Sequence, residues 1–182
     1  ESIGKGVLVA FSDAIYGARD IQKVNTYRTA AFSHRDLGSL GYIRDDEVYF
    51  YNSSTKRHTF NSEFDVSNIS ELPYIGIAPF FASADVKILD YFHENTQGVV
   101  LSGAGCGGCS SVWDKRIKEL MASGFPVVRS SRIANGLVTS EYTTQKGIFS
   151  NTLSPQKSRI LLALALTKTN DMDSISHIFN VY

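Results

Sequence analysis

From Leu72 onward the chain alternates β-rich runs with runs of helical period, and this alternation constrains the fold more than any other feature. Tyr74-Ile-Gly-Ile-Ala-Pro-Phe80 reads as a strand. A helix follows, capped by Ser83, with Val86, Leu89 and Phe92 on one face. Gly98-Val-Val-Leu101 is the next strand, and after a glycine-rich loop Trp113, Ile117, Leu120 and Met121 share a helical stripe that ends at Gly124. Pro126-Val-Val-Arg-Ser130 completes a β-α-β-α-β order. Parallel strands joined by right-handed crossovers satisfy such an order, so the sequence predicts a three-layer α/β domain with a parallel sheet.

Past a loop holding Asn135-Gly136, Ser154 and Pro155 stand as N-cap and first residue of an apolar helix running to Leu166. A last helix carries Ile175, Ile178, Phe179 and Tyr182 at helical spacing. Residues 73–182 thus read as a whole C-terminal α/β domain.

The earlier part is different. Val7-Leu-Val-Ala-Phe11 has no polar alternation, the mark of a strand covered on both faces. Thr29–Phe32 and Gly41–Arg44 read as shorter strands, and Asp45-Asp46 links the second of these to Glu47-Val-Tyr-Phe-Tyr51 as a hairpin. Asn52 to Ser70 is polar, without a sustained period. Residues 1–45 are expected to be the tail of an N-terminal domain and 46–72 a linker. A doubly covered strand at 7–11 needs neighbours that the chain does not supply, so its earlier strands are expected to lie outside it.

Charge and composition remove several classes of function. Lysine plus arginine and aspartate plus glutamate number 18 each, and the pI is near 7.2, so no global field gathers nucleic acid or anionic lipid. The longest apolar run, Ile160 to Leu166, falls far short of the roughly 20 residues that cross a bilayer. The two cysteines form no disulfide framework, and neither they nor His34, His58, His93 and His177 have further ligands at metal spacing. No metal and no cofactor is expected.

The loop Ser102-Gly-Ala-Gly-Cys-Gly-Gly-Cys-Ser110 satisfies two patterns at once, GxGxxG for a dinucleotide and CxxC for a redox centre. The first needs an acidic residue about 20 positions on, at the end of the next strand. That place holds Val127-Val-Arg-Ser-Ser-Arg132 instead, where Arg129 and Arg132 leave room only for a 2′-phosphate. A redox centre needs its first cysteine at a helix N-terminus, yet Cys109 lies nearer the helix than Cys106. Loops at the carboxyl ends of parallel strands are where α/β sheets hold ligands, so the loop remains a binding candidate.

Seven segments resemble the bacterial type II L-asparaginases and the related glutaminase-asparaginases. They are Gly17-Ala-Arg-Asp-Ile-Gln-Lys-Val-Asn25, Leu40-Gly-Tyr-Ile43, Phe64-Asp-Val66, Glu71-Leu-Pro73, Val127-Val-Arg-Ser-Ser-Arg132, Ser154-Pro-Gln-Lys-Ser-Arg159 and Ile178-Phe-Asn-Val-Tyr182. The match runs in order over essentially the whole chain and corresponds to the later half of such an enzyme. The resemblance implies an N-terminal α/β domain with most of the active site, a linker, and a smaller C-terminal α/β domain. It also implies homotetramers built from intimate dimers, and hydrolysis of L-asparagine or L-glutamine through a threonine nucleophile assisted by a Thr-Lys-Asp group. The glycine-rich segment with that threonine and the His-Gly-Thr-Asp-Thr segment are not in this sequence, so an N-terminal portion of the same protein is the expected partner.

By the same resemblance Lys23 matches the catalytic lysine. A partly buried lysine can act as base or lower a neighbouring hydroxyl's pKa, which amide hydrolysis at neutral pH requires. Cys106 takes the place of an asparagine that holds the substrate's amino end, in a loop one residue shorter than the family's. A thiol is the weaker hydrogen-bond partner, so affinity or selectivity is expected to differ. Glu141 matches the glutamate that binds the substrate ammonium by a charge-assisted bond. Membership of the type II group implies a periplasmic or secreted protein, with the cytoplasm as the alternative. Two other readings stay open at this point: a non-catalytic amino-acid or nucleotide binding module using the Gly103–Cys109 loop, and a dithiol redox protein using Cys106 and Cys109.

Overall fold

The computed structural model describes residues 1–33, 36–140 and 147–182. They fall into two compact units, Glu1–Asp65 with Tyr182, and Val66–Val181.

The second unit is the predicted α/β domain. Its strands β7 (Ile75–Pro79), β8 (Gly98–Gly103), β9 (Val127–Ser131) and β10 (Ile148–Phe149) form one sheet in the order β10-β9-β8-β7. All neighbours are parallel, with Val100 opposite both Ile77 and Val128. Alternation along the strands sends successive side chains to opposite faces. On one face Ala78, Val99, Leu101 and Val127 pack with α1 (Lys87–Asn95) and α2 (Ser111–Ala122) through Leu89, Trp113, Ile117 and Leu120. On the other, α3 (Pro155–Leu166) lies against β7, β8 and β9, and α4 (Met172–Val181) against β10. Each large aliphatic side chain buried this way stabilises the domain by about 1.5–3 kcal/mol relative to an exposed one. Trp113, 1% exposed, keeps its indole N–H satisfied by donating to the Ala84 carbonyl at 3.0 Å.

Local signals act largely where the sequence places them. Ser154 caps α3 by accepting from the Lys157 amide, with Pro155 in the first turn. Gly124, at φ 89°, stands two residues past the end of α2. One cap differs: Ser83 sits in a turn at φ 65°, and Asp85 accepts from the Lys87 amide at 3.0 Å to open α1. The short strand β10 is an addition to the predicted sheet.

The first unit is antiparallel. A four-stranded sheet runs β1-β2-β5-β6 from Leu8–Phe11, Ala14–Gly17, Gly41–Arg44 and Glu47–Phe50, and a two-stranded ladder pairs β3 (Gln22–Lys23) with β4 (Phe32–Ser33). The Asp45-Asp46 hairpin is present, both aspartates at positive φ, as its two-residue turn requires. A second such turn, Ser12-Asp13, joins β1 to β2. The doubly covered strand expected at 7–11 is not found: β1 is an edge strand, half-buried at Leu8, Val9 and Phe11 and exposed at Ala10. Between β6 and the end of this unit the chain has one 3-10 turn, Thr59–Asn61, and no strand. Tyr182 belongs here, its ring 5.0 Å from that of Phe64, and so lies beyond the helix assigned to it.

Candidate functional site

The loop between β8 and α2 leaves the carboxyl edge of the parallel sheet and closes on itself. The Ala104 amide donates to the Gly108 carbonyl at 2.8 Å, and the Gly108 amide returns the bond to Ala104 at 2.7 Å. Gly105, Cys106 and Gly107 are left as a three-residue tip. Glycine is required at Gly103, ahead of this tip, and at Gly107 within it. A Cβ on Gly103 would meet the Gly107 carbonyl carbon at 2.6 Å, and Gly107 combines φ +79° with Val138 at 3.0 Å from where a Cβ would lie. The GxGxxG pattern is therefore a tight backbone turn. Cys106 is exposed at the tip, and Cys109 is half-buried just before Ser110, the N-cap of α2.

The end of β9 forms the support of this loop. The Arg132 amide donates to the Gly103 carbonyl at 3.0 Å, and Ser131 Oγ donates to the Gly105 carbonyl at 2.6 Å. Arg129 has no exposed surface. Its Nη2 reaches Asp114 Oδ1 on α2 at 2.5 Å, and its Nη1 lies 3.8 Å from Cys109 Sγ. Lys118 Nζ holds the other Asp114 oxygen at 2.8 Å. Burial opposes ionisation of Asp114, but the hydrogen bonds and charges of Lys118 and Arg129 outweigh it and hold the carboxyl below the ordinary aspartate range. A buried guanidinium so committed is not available to a 2′-phosphate, which removes the chemistry that a dinucleotide needed there.

The surroundings of Cys109 do not activate its thiol. Burial pushes its pKa up, against the hydrogen bond and charge of Arg129. A redox pair needs a thiolate at neutral pH, and both cysteines are free.

Lys23 lies in the first unit, on the short β3 paired opposite Phe32. It is exposed rather than partly buried, with its ammonium 5.9 Å from the centre of the Phe32 ring. Cys106 stands at the loop tip of the second unit. Glu141 and His34 lie outside the described residues. Arg129, Asp114 and Ser131 are the site's structural residues that sequence reasoning assigned to no such role. The available signal was an arginine and two serines inside an otherwise apolar strand.

Residues 75–179 match the family model described as "Glutaminase/Asparaginase C-terminal domain", and residues 1–56 match "Asparaginase, N-terminal". The "L-asparaginase 2" of Bacillus subtilis (strain 168) is 40% identical over 185 residues, covering 100% of this chain and 49% of that protein. The "Probable L-asparaginase periplasmic" of Haemophilus influenzae is 36% identical over 184 residues, 98% of this chain and 53% of that protein. The "Glutaminase-asparaginase" of Pseudomonas fluorescens biotype A is 34% identical over 185 residues, 98% of this chain and 51% of that protein. The chain spans about half the length of the curated relatives it matches. With the C-terminal model alone covering more than half of its residues, the chain belongs to the glutaminase/asparaginase family.

Proposed function

We propose that this chain is part of an amidohydrolase that releases ammonia from the side-chain amide of L-asparagine, and of L-glutamine. The threonine nucleophile comes from an N-terminal portion of the same protein, Lys23 is the catalytic lysine, and Cys106 and Glu141 form part of the rim that holds the substrate's amino-acid end. A hydroxyl attacks the amide carbonyl as the lysine assists removal of its proton, that proton passes to the nitrogen that leaves as ammonia, and water then hydrolyses the resulting ester to release the acid and restore the hydroxyl; this chemistry calls for no cofactor. The working enzyme is a homotetramer, in the periplasm or outside the cell. The alternative is a module that binds an amino acid or nucleotide at the Gly103–Cys109 loop without turnover, and the burial of Arg129 counts against its nucleotide form.

The observation that carries the reading is the fixed turn at the carboxyl edge of the sheet, which presents Cys106 to solvent while its backbone is tied to β9. Such an edge is where α/β sheets place ligand groups. The test combines the intact mass of every polypeptide in the native sample with ammonia release from L-asparagine and L-glutamine. Turnover is expected with the N-terminal portion present and not from the 20.1 kDa chain alone. Lys23→Met should lower kcat by about a hundredfold or more, the scale of a lost acid-base group. Cys106→Ser should shift KM modestly. A fully active Lys23→Met enzyme would sink the assignment.

A further inference from the structure

One side chain from another element fixes the tip of the Cys106 turn. Ser131, the last residue of β9, is 8% exposed. Its hydroxyl donates to the Gly105 carbonyl at 2.6 Å and accepts from the Ile133 amide at 3.0 Å. A hydroxyl has one proton to give, so that proton is committed to the tip while a lone pair holds the segment after β9.

Packing does not do the same work. Gly105 stands at φ +50° with nothing within 4 Å of where its Cβ would be. The reciprocal bonds of Ala104 and Gly108 close the neck of the loop and do not engage the Gly105–Cys106 peptide. In a trans peptide the C=O and N–H point in opposite directions. Aiming the Gly105 carbonyl at Ser131 therefore turns the Cys106 N–H away from β9, and among the described residues that N–H has no acceptor.

We infer that Ser131 is a positioning residue for the substrate rim. Its hydroxyl sets the direction in which Cys106 presents its N–H and thiol to the polar end of an α-amino-acid amide. Through Ile133 it couples that tip to the chain leaving β9. The structural part stands on the two hydrogen bonds, and the consequence for substrate rests on the amidohydrolase reading.

The test compares Ser131→Ala and Ser131→Thr in the native sample, by amide hydrogen exchange and by steady-state kinetics with L-asparagine. Losing one neutral hydrogen bond corresponds to about a fivefold change in an equilibrium. Exchange at Ile133 and Gly108 should quicken by about that factor in Ser131→Ala, while Val100 in β8 stays unchanged. KM should rise about fivefold with kcat held within about a factor of two, and Ser131→Thr should restore both. Unchanged exchange at Gly108 overturns the inference. So does a fall in kcat without change in KM, or failure of threonine to rescue. If Ser131→Ala does not fold, Ser131→Cys decides, since it keeps the volume with a weaker donor. Absence of ammonia release from the wild-type sample overturns the amidohydrolase reading, and exchange at Gly108 then decides the loop claim alone.

Discussion

Arg129 carries a full positive charge on a side chain with no exposure to water. Desolvating a guanidinium costs several kcal/mol, and its ionised partner must offset that cost. Asp114 does so at 2.5 Å, and it pins the first turn of α2 to β9. Asp114→Asn leaves the guanidinium buried against a neutral amide, so it should destabilise the protein by about 3 kcal/mol at pH 7, the scale for breaking a buried pair. The pH dependence has a definite sign. Asp114 has a folded pKa below its ordinary value of 3.8, so its contribution is present above that value and is lost as pH falls through the folded pKa. Urea midpoints of wild type and Asp114→Asn should therefore differ widely at neutral pH and converge in acid below 3.8. A gap that stays constant with pH would refute the ion pair's role. This interaction was not legible in Val127-Val-Arg-Ser-Ser-Arg132, because the partner of Arg129 lies 15 positions earlier in the chain. Lys23 is a candidate only through resemblance: an isolated lysine between Gln22 and Val24 carries no signal of its own.

Among the elements, those with strong local signals were readable and those defined by pairing were not. β7 and β8 follow from their apolar runs, β9 from the Val127-Val128 pair after Pro126, and α3 from the serine-proline start that its structure confirms. β3 and β10 have two residues each, too few to show a period, and exist because a partner strand offers its hydrogen bonds. β2 was missed since Ala14-Ile-Tyr-Gly17 has only two large apolar residues, and the positive φ of Ser12 and Asp13 is no strong preference of serine. The strand at 7–11 was misjudged for a related reason: a run of apolar residues reports composition, whereas coverage depends on what packs against it. Capping is the local signal that converts most directly into energy. Ser110 opens α2 by accepting from the Trp113 amide, so Ser110→Ala should cost about 1 kcal/mol and lower Tm by about 4 °C. The same substitution should loosen the adjoining glycine loop, visible as faster exchange at Gly108. Unaltered melting would show that the helix start is fixed by the Asp114 ion pair and not by the cap.

For the whole molecule, the two units differ in how much apolar surface each removes from water. In the first, the buried apolar side chains among the described residues are Ala14, Ile15, Ile21 and Ala31, while Ile3 and Tyr27 are 97% and 95% exposed. The second has apolar layers on both faces of its sheet, including Trp113, Leu120, Leu162 and Phe179, none above 1% exposure. Burial contributes about 25 cal/mol per Å², and regions poor in buried contacts open at lower free energy than core strands. Local opening should therefore begin in the first unit. Under limited trypsin, exposed Arg28 and Arg44, and Lys56 and Arg57 in the strand-free stretch after β6, should be cut before the bonds of β7 to β8. Terminal sequencing of the persistent product should then place its first residue between Asp45 and His58. A persistent product starting at Ile88, inside α1, would mean that the α/β unit opens first and that buried area does not set the order of unfolding.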